Sequence, residues 1–115
     1  MEIIKKTNNI TAADLFGMTK GPDVRKMQDA KGETLDLLAY VIYKDEKDGQ
    51  DPVTVLAVKT VDGVMYATNS KTFIREFLDM LSCFEEVGEK VDCIEILTGT
   101  SKAGREYISC RYAGE

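Results

Sequence analysis

An apolar, aromatic and β-branched run extends from Leu35 to Tyr43 and predicts a strand buried on much of both faces. The polar stretch Lys44–Pro52, with Gly49 and Pro52, interrupts it before Val53–Thr60 restarts the strand pattern, so the two runs read as a hairpin. Asp62-Gly63 between apolar residues is a tight-turn signal and returns the chain into Val64–Thr68. Asn69 or Ser70 then stands where a helix N-cap is needed, and the apolar period changes. Phe73, Ile74, Phe77, Leu78, Leu81 and Phe84 recur at intervals of three and four, which predicts an amphipathic helix ended by Gly88. Val91–Thr98 and Arg105–Tyr112 read as two further strands joined by Gly99–Gly104.

The order is strand, strand, strand, helix, strand, strand. That succession predicts a mainly β chain with one principal helix, folded as a five-stranded Greek-key barrel of the OB type. An α+β roll and an open five-stranded sheet with one helix are the alternatives. Residues 34–112 would form the barrel. Residues 1–33 would form an extension packed on it, containing a short helix opened by Thr11 with Asp14 in a capping-box position. Ile3, Ile4, Leu15, Phe16 and Met27 are its expected anchors, with breakers at Gly21-Pro22 and Gly32.

With 115 residues, the chain has the length of a single domain. No apolar run approaches the roughly 18 residues of a membrane span, and the opening residues lack the basic-then-apolar order of a secretory signal. Three cysteines, Cys83, Cys93 and Cys110, fit neither a disulfide framework nor a zinc site and are expected to act as small buried hydrophobes. A reducing cytoplasm, without membrane, metal or cofactor, is the expectation. The absence of histidine removes the commonest general base and argues against an enzyme. Asp36, Asp92 and Glu95 show no spacing that would pair them for acid–base work. A net charge of -5 argues against coating a polyanion through bulk electrostatics, so any nucleic-acid contact must use a local patch.

The best such patch runs from Gly99 to Tyr112, where Lys102, Arg105 and Arg111 face a single acid, Glu106. Its glycines and hydroxyl residues expose backbone donors, and Tyr107 and Tyr112 offer faces on which bases stack. A solvated hairpin with its tyrosines packed inside is the competing reading. Tyr40, Tyr43 and Tyr66 lie on strands that an OB-fold turns partly toward its ligand, although alternation alone does not decide their direction. Gly99–Lys102 resembles half of a phosphate-binding loop, but the leading glycine is missing and a strand follows. The acidic loop Asp45–Asp51 lacks the spaced ligands of a calcium-binding loop and reads as solvated.

Tyr66–Ile74 taken with Gly99–Tyr107, and the opening Ile3–Thr11, resemble small single-stranded DNA-binding proteins encoded by tailed bacteriophages and mobile elements of bacteria. The resemblance implies an OB-fold and a cytoplasmic role in the bacterial host, protecting single-stranded DNA without sequence preference during phage or mobile-element replication. Replication proteins would be further partners. Lys102, Arg105 and Tyr107 would carry the contact, with Arg111, Tyr66 and Tyr43 contributing charge and stacking. The alternative is a protein-interaction or inhibitory module acting on a host protein through the acidic loop or the N-terminal arm.

Overall fold

The computed structural model describes residues 1–46 and 48–114, so Lys47 of the acidic loop and the terminal Glu115 lie outside the described residues. The elements are β1 (Glu2–Lys6), α1 (Ala12–Thr19), β2 (Val24–Lys26), a 3-10 turn (Met27–Ala30), β3 (Thr34–Asp45), β4 (Val53–Thr60), β5 (Met65–Thr68), α2 (Lys71–Glu86), β6 (Cys93–Thr100) and β7 (Glu106–Tyr112). The strands form one curled, mixed sheet in the order β2-β5-β4-β3-β6-β7, with β1 added on β3. The fold is mainly β and barrel-like.

The twelve-residue strand β3 organises it. One edge pairs with β4 from Leu37 to Asp45. The other edge is shared, since β6 takes Thr34–Asp36 and β1 takes Val41–Lys44. The register slips between Leu37 and Ala39, leaving Leu38 as an extra, exposed residue. Because side chains alternate with a period of two, one extra residue reverses their direction. Leu35 and Leu37 before the bulge and Tyr40 and Ile42 after it therefore enter the same core, while Val41 and Tyr43 enter a second core on the opposite face.

The larger core lies inside the curl. Its lid is α2, whose Phe73, Ile74, Phe77 and Leu81 are buried, and whose Phe77 meets Tyr40 edge-on with ring centroids 5.3 Å apart. Ser70 caps this helix by accepting the Phe73 N–H at 3.3 Å. Gly88 follows it at φ 74°, a left-handed conformation that a side chain would oppose, and Glu89 N–H then donates back to the Phe84 carbonyl.

The second core sits beneath α1, where Met18 packs with Val41, Tyr43 and Ala57. Thr11 and Asp14 form the capping box at its start, and Lys59 of β4 donates to Asp14 at 2.9 Å. Met18 and Met27 are the buried anchors of the N-terminal region. Ile3, Ile4 and Phe16 are exposed, contrary to expectation. Ile3 belongs to a strand that docks through backbone pairing, and Phe16 lies on the outer side of α1, so neither needs to bury its side chain.

The five-strand closure expected from the element order is not made. It would need β7 to pair with β5, but the outer edge of β5 is taken by β2, in parallel, through Val24↔Met65, Arg25↔Tyr66 and Lys26↔Ala67. The free edge of β7 lies against α2 instead. There the Glu76 carboxylate accepts the Cys110 backbone N–H at 3.1 Å and the Ser109 hydroxyl at 2.9 Å. A helix side chain occupies the place of a closing strand, and the sheet remains a half-barrel.

Glu76→Ala leaves the Cys110 N–H without its partner, and we expect a loss of roughly 1–3 kcal/mol, read as a lowered urea midpoint at unchanged m-value. Ser109→Ala should cost less, since it removes a donor that water replaces. Asp14 supplies a pH test. Lys59 and then Thr11 hold its carboxyl below the ordinary value of 3.8, so its contribution is complete above that value and is lost as pH falls through the lower, folded one. The stability difference between wild type and Asp14→Asn should accordingly shrink toward zero on acidification below about pH 4; a difference that stays constant there would contradict this assignment.

Candidate nucleic-acid interface

The hairpin β6–β7 is built on strict alternation. Ile94, Ile96, Ile108 and Cys110 are buried in the main core, while Glu95, Leu97 and Gly99 lie across from Arg111, Ser109 and Tyr107 on the outer face. The core stops at Ile108. From Thr100 to Tyr107 every residue is exposed, so the distal end of the hairpin projects from the body.

Ser101 organises the tip. Its N–H donates to the Arg105 carbonyl at 2.8 Å, its carbonyl accepts from Gly104 N–H at 2.9 Å, and its hydroxyl accepts from Arg105 N–H at 3.2 Å. Lys102 and Arg105 emerge from this fixed turn. Among the described residues neither is engaged by a carboxylate in an ion pair. Glu106, the one acid of the segment, is met by Lys31 at 3.5 Å, which brings a further cation to the hairpin.

Tyr107 lies across from Gly99, and its ring covers the glycine so closely that a Cβ there would stand 2.5 Å from the ring carbon Cζ. Only glycine leaves room for the ring in that position. Tyr107 nevertheless remains 41% exposed, so the arrangement backs an aromatic ring with main chain on one side and leaves it open on the other.

The expected site residues thus separate. Lys102, Arg105 and Tyr107 come together at the tip. Arg111 is exposed on the same outer face, but its guanidinium is paired with Glu95 across the strands, so it brings less free charge than expected. Tyr43 and Tyr66 require correction as stacking residues. Tyr43 is buried beneath α1 and Tyr66 in the main core, where alternation and the Leu38 bulge send them to opposite faces of the sheet. Burial raises the Tyr43 phenol above its ordinary range, as it does for Tyr40. Lys31 was not expected. Gly32 N–H donates to Ile96 O and Ile96 N–H to Glu33 O, and this lays the start of β3 along β6. Pairing of the first and fourth barrel strands, already implied by the expected topology, was the signal that would have found it.

Other chemistry is sparse. Cys110 is buried, with its thiol pushed up to about 12 by burial and the neighbouring Glu76, which leaves no thiolate at neutral pH. Cys93 is half-buried and Cys83 is exposed, the latter against expectation, because it falls on the outer face of α2. Tyr112, donating to Asp92 at 2.9 Å, has its phenol pushed up to about 12 chiefly by that hydrogen bond. No group of His, Cys, Asp and Glu among the described residues is placed to hold a metal ion, and no helix among them is long and apolar enough to cross a membrane.

No protein-family model, curated protein or solved structure matches the chain.

Gly99→Ala tests how the Tyr107 ring is seated. The added methyl should displace the Tyr107 ring, seen as loss of the upfield ring-current shift on the residue-99 protons in NMR, while the urea midpoint moves by less than about 1.5 kcal/mol equivalent because the site is outside the core.

Proposed function

We propose that the chain binds single-stranded DNA without sequence preference through the distal β6–β7 hairpin. The observation that carries the reading is the projecting tip, where two cations without a carboxylate partner among the described residues share the end of the hairpin with a glycine-backed aromatic ring. Lys102 and Arg105 would hold phosphates, Tyr107 would stack a base, and Lys31 and Arg111 would add charge at the margins. The ring is held before any ligand arrives, so little side-chain ordering is charged to binding. The succession β3-β4-β5-α2-β6-β7 is that of an OB-fold, and we read the half-barrel as an OB-type body whose closing contact α2 has taken over. The resemblance to phage and mobile-element proteins supports a role in protecting single strands during replication in a bacterial cytoplasm, beside other replication proteins.

A second reading, a module that docks on a host protein, draws on β1, an edge strand with Ile3 and Ile4 exposed. Edge strands with apolar residues accept a further strand, although the register shift between Ile3 and Lys5 blunts this one.

Anisotropy titration of a labelled dT oligonucleotide separates the two. Binding should weaken with salt with a log–log slope of about -0.7 per phosphate contacted, hence roughly -1.5 to -2 for two or three contacts. Lys102→Ala with Arg105→Ala should flatten the slope, and Tyr107→Ala should cost about 1–3 kcal/mol while Tyr107→Phe retains most of the affinity. Absence of binding at low salt would remove the reading. Capture of a host protein that survives nuclease treatment and the hairpin substitutions, but not Ile4→Lys, would favour the second.

A further inference from the structure

The outer face of the β6–β7 hairpin continues from the tip toward the body. Because side chains alternate with a period of two, Tyr107, Ser109 and Arg111 of β7 share that face with Gly99, Leu97 and Glu95 of β6. Arg111 lies four residues beyond Tyr107, roughly 13 Å along the strand. A polynucleotide that stacks on Tyr107 and follows β7 toward the body therefore meets Arg111 as its next cation.

Carboxylates are spread unevenly along this face. Near the tip it carries none, since Glu106 alternates to the opposite face and is met there by Lys31. Toward the body stand three. Glu95 lies across from Arg111, and Asp36 is exposed beside Cys93, two residues before Glu95. Glu76 reaches the edge of β7 from α2, where it accepts from the Ser109 hydroxyl and the Cys110 N–H. The outer face thus changes sign along its length, from the cations of the tip to a surplus of acid beside the body.

Of these three acids, Glu95 alone holds a cation among the described residues. Its Oε1 accepts from both Nε, at 3.1 Å, and Nη2 of Arg111. That leaves three of the five guanidinium N–H donors for another acceptor. The Arg111 side chain is 63% exposed against 25% for Glu95, so the guanidinium keeps a side open to solvent. A phosphate approaching that side meets a cation whose charge is offset at contact distance, and full contact requires it to compete with Glu95. The competition is mild, because an exposed ion pair shifts an equilibrium by up to about five-fold.

We propose that Glu95 sets the inner limit of the DNA site: by pairing with Arg111 it restricts that cation to a marginal contribution and confines the bound strand to the distal hairpin. Glu95 is a positioning residue that acts through Arg111 and touches no DNA itself. The proposal rests on the DNA-binding reading and adds to it a residue that shortens and weakens the site.

Anisotropy titration of the full chain with dT oligonucleotides of increasing length tests it. Glu95→Gln keeps the shape of the side chain and removes its charge. It should strengthen binding by about five-fold, steepen the log–log salt slope by about 0.7, the value of one further phosphate contact, and move the plateau of affinity to a longer oligonucleotide. In an Arg111→Ala background the same substitution should change affinity by less than about two-fold, because the cation it releases is gone. Asp36→Asn removes equal charge from the same face without releasing a cation, and its effect should also stay below about two-fold. Unchanged affinity and slope in Glu95→Gln, or a gain that persists without Arg111 or is matched by Asp36→Asn, would overturn the proposal. The DNA-binding reading would survive that result if wild type still binds and loses affinity on Lys102→Ala with Arg105→Ala. Absence of wild-type binding at low salt would sink both.

Discussion

Strand β3 is the constraint from which the rest follows, because it gives backbone to three other strands and side chains to both cores. Its bulge at Leu38 makes this possible. With an unbroken alternation, Leu35 and Leu37 would share a face with Val41 and Tyr43, and Tyr40 and Ile42 would turn away from α2; one extra residue places all four core residues on the side the helix covers. The bulge also sits where β6 departs and β1 has not yet arrived. The same interruption that aligns the core thus opens a groove along the strand edge. The pairing of Thr34–Asp36 with β6, continued through Gly32 and Glu33, is what draws Lys31 to the hairpin.

Closing a curled sheet is the second problem, since an open edge leaves backbone donors and acceptors without partners. A fifth strand pairing with the third would solve it, but β5 is only four residues long and its outer edge already carries β2. The helix solves it in another way. Its apolar stripe fills the interior, which is the main stabilising term, and Glu76 on the flank of that stripe reaches the β7 backbone. A carboxylate accepts two donors at once and is tolerant of angle, so it substitutes for part of a ladder without requiring a strand's regularity.

Much of this was legible in the chain because it is local. β4 occupies the expected Val53–Thr60, the helix starts beside Ser70, and the last two strands fall within two residues of their expected bounds. Each is fixed by a period or a turn residue that acts over a few positions. What was not legible depends on partners far away in sequence. β1 and β2 are short and leave most side chains exposed, so no apolar period marks them; only pairing with β3 and β5 makes them strands. Tyr43 and Tyr66 could not be oriented because the parity of β3 turns on a single extra residue, and because α1 covers the outer face of the sheet that an OB-fold leaves open. In the hairpin, by contrast, the charge count and the glycine spacing pointed to the residues that stand together at its tip.

The overall charge of -5 bears on how such a tip would work. Several cations are spent internally, with Lys5 on Glu85, Lys20 on Asp45, Lys59 on Asp14 and Arg111 on Glu95. Each pair cancels its own field at short range, leaving the surplus of acids to set the field far from the surface. At physiological ionic strength that far field decays within about 8 Å, whereas an ion held in contact with Lys102 or Arg105 feels them directly. A polyanion approaching the body is therefore not attracted from a distance, and one reaching the projecting hairpin meets cations with little opposing charge beside them. The geometry favours contact through the tip over coating of the surface, and it makes projection of the hairpin beyond the core as important as the identity of its residues.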